Sequence, residues 1–169
     1  MVQKTLVLLK PDAVQRNLIG EIIKRYEDAG LRVVELKMMM APLEVIKKHY
    51  PEDEEYLRLI GEKSVKAGEN VEDPVEMGRM VVSWLRDFIT SGPIVAMVLE
   101  GEDAVVRVRK ITGFTDPATA EKGSIRGDLG TDSILKANAE KRPVWNLIHA
   151  SGSLEEAEKE ISLWFGSKS

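Results

Sequence analysis

Ser91-Gly92-Pro93-Ile94-Val95-Ala96-Met97-Val98-Leu99 is the stretch on which the fold turns. Glycine is at home just past a helix end and proline cannot carry a helix forward, so the first three residues are a stop signal. The six apolar residues that follow show no alternation, the pattern of a strand buried on both faces. Immediately upstream, Met80, Val81, Trp84, Leu85, Phe88 and Ile89 recur at helical spacing and predict a helix with a broad buried face. Immediately downstream, Asp103–Ile111 predicts a helix that Gly113 closes.

Farther out, Thr5–Lys10 is an apolar run stopped by Pro11-Asp12, a strand with a turn behind it. Gly20–Ala29 places Ile22, Ile23 and Tyr26 on one helical face, and Arg32–Met40 reads as a second strand. Pro42 opens a helix through Leu43, Val45 and Ile46 that ends near His49-Tyr50. Glu52–Ile60 predicts a further helical turn or two, and the polar, glycine-containing Gly61–Glu76 predicts a surface excursion. Phe114–Ser133 is the longest irregular segment, and a loop of that length is usually functional. Val144–His149 predicts a short strand, and Ser153-Leu154-Glu155-Glu156 is a capping-box pattern opening a last helix through Ile161 and Trp164. The core order is βαββαβ, an α+β, ferredoxin-like sandwich with a single antiparallel sheet, which this reading covers with helices on one face. Fold order alone assigns no activity.

A chain of 169 residues and 18.9 kDa is the size of one domain, here 1–169. With 43% hydrophobic and 31% charged residues it is globular, and a net charge of −4 makes it a poor general binder of nucleic acid or of an anionic membrane. The absence of cysteine excludes disulfides, thiolate metal sites and a cysteine nucleophile. Met1–Lys4 carries no signal h-region, and the apolar runs are too short to cross a bilayer, so the expectation is a soluble, cytoplasmic protein.

Several phosphate and metal motifs are missing. Gly61-Glu62-Lys63-Ser64 comes nearest to a phosphate-binding P-loop but lacks the glycine before the lysine, and no dinucleotide fingerprint, zincin or EF-hand spacing occurs. Two histidines remain. His49 lies at a polar helix end, whereas His149 stands at the end of the apolar run Val144–Ile148 and is followed by small residues. A histidine in that place is either a core residue bonded to backbone or a rigid ring presented to a ligand. Lys10 at the end of the first strand, Arg109, and Arg126 between glycines in Gly123-Ser124-Ile125-Arg126-Gly127-Asp128 are each ordinary surface charges taken singly. Gathered beside a histidine, they would make the cationic pocket that phosphoryl transfer needs.

At this point a family resemblance becomes specific. Asn146-Leu147-Ile148-His149-Ala150-Ser151 resembles the N-x-x-H-[GA]-S signature of nucleoside diphosphate kinases. Lys10-Pro11-Asp12, Ser91–Gly101, Gly113-Phe114-Thr115-Asp116-Pro117 and Gly123–Asp128 resemble further segments of that family, in the same order along nearly the whole chain. The resemblance implies a ping-pong transfer of the γ-phosphate of a nucleoside triphosphate to a nucleoside diphosphate through phospho-His149. It implies that Glu160 and Ser151 orient the ring. Lys10 and Asn146 would serve at the transferring group and the ribose, Arg109, Thr115 and Arg126 would hold the other phosphates, and Tyr50 would contact the nucleotide. Magnesium would arrive on the nucleotide phosphates of ATP or another triphosphate, with no direct protein ligand. The partner would be a second copy of the chain, in a homo-oligomer that is a hexamer, tetramer or dimer.

The chain departs from the family pattern in places. Extra residues are expected at about 52–76 and at 131–142. The aromatic that stacks on the base falls near Val81, leaving Tyr56 and Trp84 as candidates to replace it. Gly152 stands where many relatives have an acid, and little chain follows Trp164-Phe165. Three other readings compete: a nucleotide-sensing module without turnover, an RNA-binding sheet and a scaffold subunit. The RNA reading lacks aromatics on Ile94–Leu99, and a sensor needs no oriented nucleophile.

Overall fold

The computed structural model describes residues 1–166; the last three residues of the predicted 1–169 domain lie outside the described part. In chain order the elements are β1 (Val2–Leu9), α1 (Pro11–Gln15), α2 (Ile19–Asp28), β2 (Arg32–Met39), α3 (Leu43–His49), α4 (Glu54–Lys66), α5 (Pro74–Ile89), β3 (Ile94–Glu102), α6 (Ala104–Thr112), α7 (Ile125–Leu129), α8 (Ile134–Ala139), β4 (Ile148–Ala150) and α9 (Leu154–Phe165). Among the described residues the strands form one sheet in the order β2-β3-β1-β4, with every neighbouring pair antiparallel. This is the predicted ferredoxin-like arrangement. Leu8 stands opposite both Ala96 and His149, so the centre of the sheet sets the height of the histidine.

The sheet is covered on both faces, not one. Val7, Leu9, Val95, Met97 and Leu99 pack with Ile22, Tyr26 and Val108 on the side of α2 and α6. Leu6, Leu8, Ile94 and Ala96 pack with Ile46, Val82, Ile89 and Trp164 on the side of α3, α5 and α9. The physical reason lies in the strands: consecutive side chains point to opposite faces, so an uninterrupted apolar run must be buried twice. Each large aliphatic chain so buried contributes about 1.5–3 kcal/mol.

Gly61–Glu76 is not a surface excursion. Helix α4 runs on through Gly61 to Lys66, and Asp73 caps α5 by accepting from the N–H groups of Val75 and Glu76. A Cβ on Gly61 would overlap the carbonyl oxygen of Pro74, and one on Gly78 would overlap that of Leu57. The two glycines are contact points where the helix backbones touch, so they permit packing instead of ending a helix. The buried line of α5 follows from that crossing. Gly78, Val82 and Ile89 are buried, whereas Met80, expected on the buried face, is exposed.

Two further segments differ from expectation. The irregular stretch 114–133 contains α7, capped by Ser124, whose hydroxyl accepts from the N–H of Gly127. The strand expected over Val144–His149 is confined to Ile148–Ala150. Leu147 adopts a positive φ of 71°, its N–H donates to Asp12 at 3.0 Å, and its carbonyl accepts from the N–H of Lys10 at 2.8 Å. Backbone groups committed to the turn after β1 are not free to join a ladder. The segment 131–142 contains α8, and Asp132 receives both a bidentate bond from Arg142 (2.6 and 3.0 Å) and the N–H of Trp145 at 2.9 Å. Among the described residues no helix is long and apolar enough to cross a membrane.

Candidate active site

His149 occupies the middle of β4, and a strand of three residues leaves little freedom for its backbone. Its Nε2 lies 2.9 Å from both carboxylate oxygens of Glu160, which projects from α9. Ser151 donates its hydroxyl to the same carboxylate at 2.6 Å, while its own N–H donates to the Leu6 carbonyl in β1. Strand, serine and helix thus fix one face of the ring. A proton on Nε2 shared with the carboxylate leaves the lone pair on Nδ1, which takes no hydrogen bond from the described residues. The side chain is 19% exposed, so the free nitrogen is reachable while the ring stays held.

Burial lowers the pKa of His149, Glu156 opposes the shift, and Lys10, Lys63 and Arg126 reinforce it; the net direction is well below an ordinary imidazole. Burial also pushes the Glu160 carboxyl upward, against His49 and the hydrogen bond from Ser151. The ring is therefore neutral at physiological pH, as a nucleophile must be.

A cavity of about 310 Å³ opens beside His149, and Lys10, Tyr50, Arg109, Thr115, Arg126 and Asn146 line it together with the ring. The structure thus gathers these sequence candidates at one site, with Glu160 and Ser151 behind the ring. Asn146 is the joint between them. Its side-chain oxygen accepts from Lys10 Nζ at 2.8 Å, and its amide donates to the Thr115 carbonyl at 2.9 Å. Arg126 donates through Nε to the Asn146 carbonyl at 3.1 Å, through Nη1 to Gly113 at 3.1 Å, and through Nη2 to Ile148. It is a clamp on the site's backbone as well as a cation. Burial lowers its pKa to about 10, and burial together with the Arg126 charge lowers that of Lys10 to about 7. Both shifts are the mark of cations gathered in a desolvated place with too few anions.

Sequence reasoning missed His49. It is not a polar helix end but a buried ring, packed edge-on to His149 with centroids 4.4 Å apart. Trp164 donates to its Nδ1 at 3.2 Å, its Nε2 has no partner among the described residues, and burial drives its pKa to about 3. The signal was present in the spacing Ile46–His49–Tyr50, which puts all three on one helical face. Glu156 was missed as well. Its carboxylate accepts from the Gly152 N–H at 2.5 Å, and a Cβ on Gly152 would come within 2.6 Å of it. A carboxylate therefore does stand at the Gly152 end of the cavity, supplied from one turn into α9. Of the two aromatic candidates beside Val81, Tyr56 lines the cavity and Trp84 does not.

His49, His149 and Glu160 bring one donor atom each to within 4.8 Å of one another. Glu160 is already engaged by His149 and Ser151, His49 Nδ1 by Trp164, and the surrounding side chains are cationic. The trio is built to orient a ring and is poorly suited to a dication.

The family model described as nucleoside diphosphate kinase matches residues 3–59 and 75–169. The chain belongs to the nucleoside diphosphate kinase family. Its similarity to the nucleoside diphosphate kinase of Pyrobaculum aerophilum is 51% identity, covering 97% of this chain and 95% of that relative. A Staphylococcus aureus nucleoside diphosphate kinase is 44% identical over 96% of this chain and 87% of its own length. Among solved structures, the NDP kinase of Pyrobaculum aerophilum superposes with a TM-score of 0.91 at 48% identity, covering 98% of this chain and 96% of that one. A transition-state mimic of the Borrelia burgdorferi enzyme with bound vanadate and ADP gives 0.79 at 35% identity, covering 97% and 87%. Within this nucleoside diphosphate kinase family member, the internal part left outside the family match is 60–74: the second half of α4 and the turn into α5.

Proposed function

We propose that the chain catalyses transfer of the terminal phosphate of a nucleoside triphosphate to a nucleoside diphosphate, with His149 Nδ1 as the carrier atom. The observation that carries this reading is the neutral, oriented ring facing a cavity lined by Lys10, Arg109 and Arg126. In the first half-reaction the Nδ1 lone pair attacks the γ-phosphorus and an N–P bond forms. The bond from phosphorus to the β,γ-bridging oxygen breaks, and the diphosphate leaves with the electron pair. The proton stays on Nε2 against Glu160. In the second, a terminal oxygen of the incoming diphosphate attacks the same phosphorus and the N–P bond breaks. Catalysis is placement plus neutralisation of the charge spread over the phosphate oxygens.

Lys10 and Asn146 are assigned to the transferring group and ribose, Arg109, Thr115 and Arg126 to the remaining phosphates, and Tyr50 to the wall beside them. Magnesium enters as part of the substrate, on its phosphates. We take 1–169 as one domain with inserted segments at about 52–76 and 131–142. The omission of 60–74 from the family match favours the first of these. A homo-oligomer in the cytoplasm goes with this reading; exposed Leu36 and Met38 on edge strand β2 offer an apolar surface for a second copy.

Incubation with γ-labelled ATP is expected to give an acid-labile, base-stable label that a nucleoside diphosphate chases off, and His149→Ala is expected to take none. Undiminished labelling of that variant would overturn the assignment of the nucleophile.

A further inference from the structure

The tetrapeptide Gly61-Glu62-Lys63-Ser64 fails as a P-loop, and the structure explains why: it is the middle of helix α4, not a loop after a strand. Its lysine nevertheless reaches the cavity beside His149. We propose that Lys63 is an additional phosphate-binding cation of this active site, supplied by the segment that the family match leaves out. The proposal rests on the phosphotransferase reading above and assigns one more residue to the same pocket.

Placement comes first. Lys63 lines the cavity that holds Lys10, Arg109, Arg126 and His149. It is carried on a fixed piece of helix. Gly61 seats α4 against the backbone of α5, and the buried Ser64 accepts a hydrogen bond at 3.0 Å from the Asn138 amide of α8, which also donates to Glu69. Ser64 and Asn138 both line the same cavity. The two segments expected as insertions therefore meet, and their contact braces the turn on which Lys63 stands.

Charge comes second. Among the described residues the Lys63 ammonium makes no hydrogen bond and no ion pair. The side chain as a whole is exposed, yet its charged end is desolvated, because it hangs inside the cleft. Burial holds its pKa below the ordinary lysine value, Arg126 and Arg109 push in the same direction, and Glu156 opposes them. The field is mutual, since Lys63 is among the groups that lower the pKa of Lys10 and of His149. A lysine on open surface would feel none of this. Four cations converging on one small cavity repel one another until a polyanion arrives, and a nucleotide's phosphates supply that charge.

The test compares Lys63→Gln and Lys63→Arg with Lys66→Gln, a change of an exposed lysine on the same helix that does not line the cavity. Lys63→Gln is expected to lower kcat/KM for phosphoryl transfer about 10- to 100-fold. Arginine is expected to restore most of it and Lys66→Gln to stay within twofold. Binding of ADP should weaken in Lys63→Gln while binding of adenosine does not, with an unchanged melting temperature. Activity of Lys63→Gln within twofold of the unsubstituted protein, or equal weakening of ADP and adenosine, would overturn the assignment. If the unsubstituted protein takes no label from γ-labelled ATP, the kinase reading fails, and the ADP-against-adenosine comparison still decides whether Lys63 binds phosphate.

Discussion

The cavity has two unlike walls. On one side, β4 and α9 hold His149, Ser151 and Glu160 through hydrogen bonds of 2.6–2.9 Å between side chains close in sequence. On the other, α4 and α8 bring Lys63, Ser64 and Asn138 to one cavity from segments more than sixty residues apart, joined by the hydrogen bonds that the Asn138 amide donates to Ser64 and Glu69. The first wall is a reactive atom with its orienting groups; the second is a packed surface that carries a charge. What separates them is where their rigidity originates. The histidine wall takes it from the sheet, whereas the helical wall takes it from two glycines that let α4 and α5 touch.

Breaking the first wall should have the larger effect on chemistry. Glu160→Ala removes the acceptor of both His149 and Ser151, freeing the ring to rotate and to exchange tautomers. The rate of phosphorylation by ATP is expected to fall about 100- to 1000-fold in single-turnover experiments. A loss under threefold would show that the strand alone orients the ring.

Breaking the second wall should act through stability. Gly78→Ala places a methyl against the Leu57 carbonyl, which is backbone and cannot swing aside, and about 1–3 kcal/mol of destabilisation is expected. Gly152→Ala on the histidine side comes close only to the flexible end of the Glu156 side chain, with Arg109 at ordinary contact distance, and should cost under about 1 kcal/mol. Denaturant unfolding of the two variants measures the difference, and the reverse ranking would refute the account of the helix crossing.

The smallest effect is a proton count that sharpens the comparison between the walls, because Lys10 feels both Arg126 and Lys63. With its pKa lowered to about 7, Lys10 is largely deprotonated at pH 8 in the free protein. A polyphosphate beside the amine raises that pKa, so ADP binding takes up a proton, and affinity falls as pH rises above 7. Calorimetry at pH 8 in buffers of different ionisation enthalpy should register close to one proton taken up per site. Proton release on binding would contradict the assignment.

Residues along one short stretch, such as Asn146 to Ser151, were legible through the family resemblance, because a motif of fixed order and spacing carries it. The long-range joints were not. His49 looked like a polar helix end because its neighbours Lys47 and Lys48 are charged, and only packing against Trp164 and His149 makes it a buried ring. Glu156 was invisible as a site residue until the turn at Gly152 brought its carboxylate back to the cavity. Leu147 looked like strand because it is apolar, although its N–H and carbonyl were already committed to Asp12 and Lys10.

The pairing of His149 with Glu160 was implied only by the family resemblance. By itself the sequence determined the βαββαβ order and a strand at Ile94–Leu99 apolar on both of its faces, but not the helical cover on both sides of the sheet. These follow from local propensity and from side-chain periodicity, which act over a few residues. Only the tertiary structure decided that Gly61 and Gly78 join helices instead of ending them, and that α4 and α8 close one side of the cavity around Lys63. A glycine has the same backbone freedom in a turn and in a helix crossing; what it meets in space selects between them, and that depends on chain segments far away in sequence.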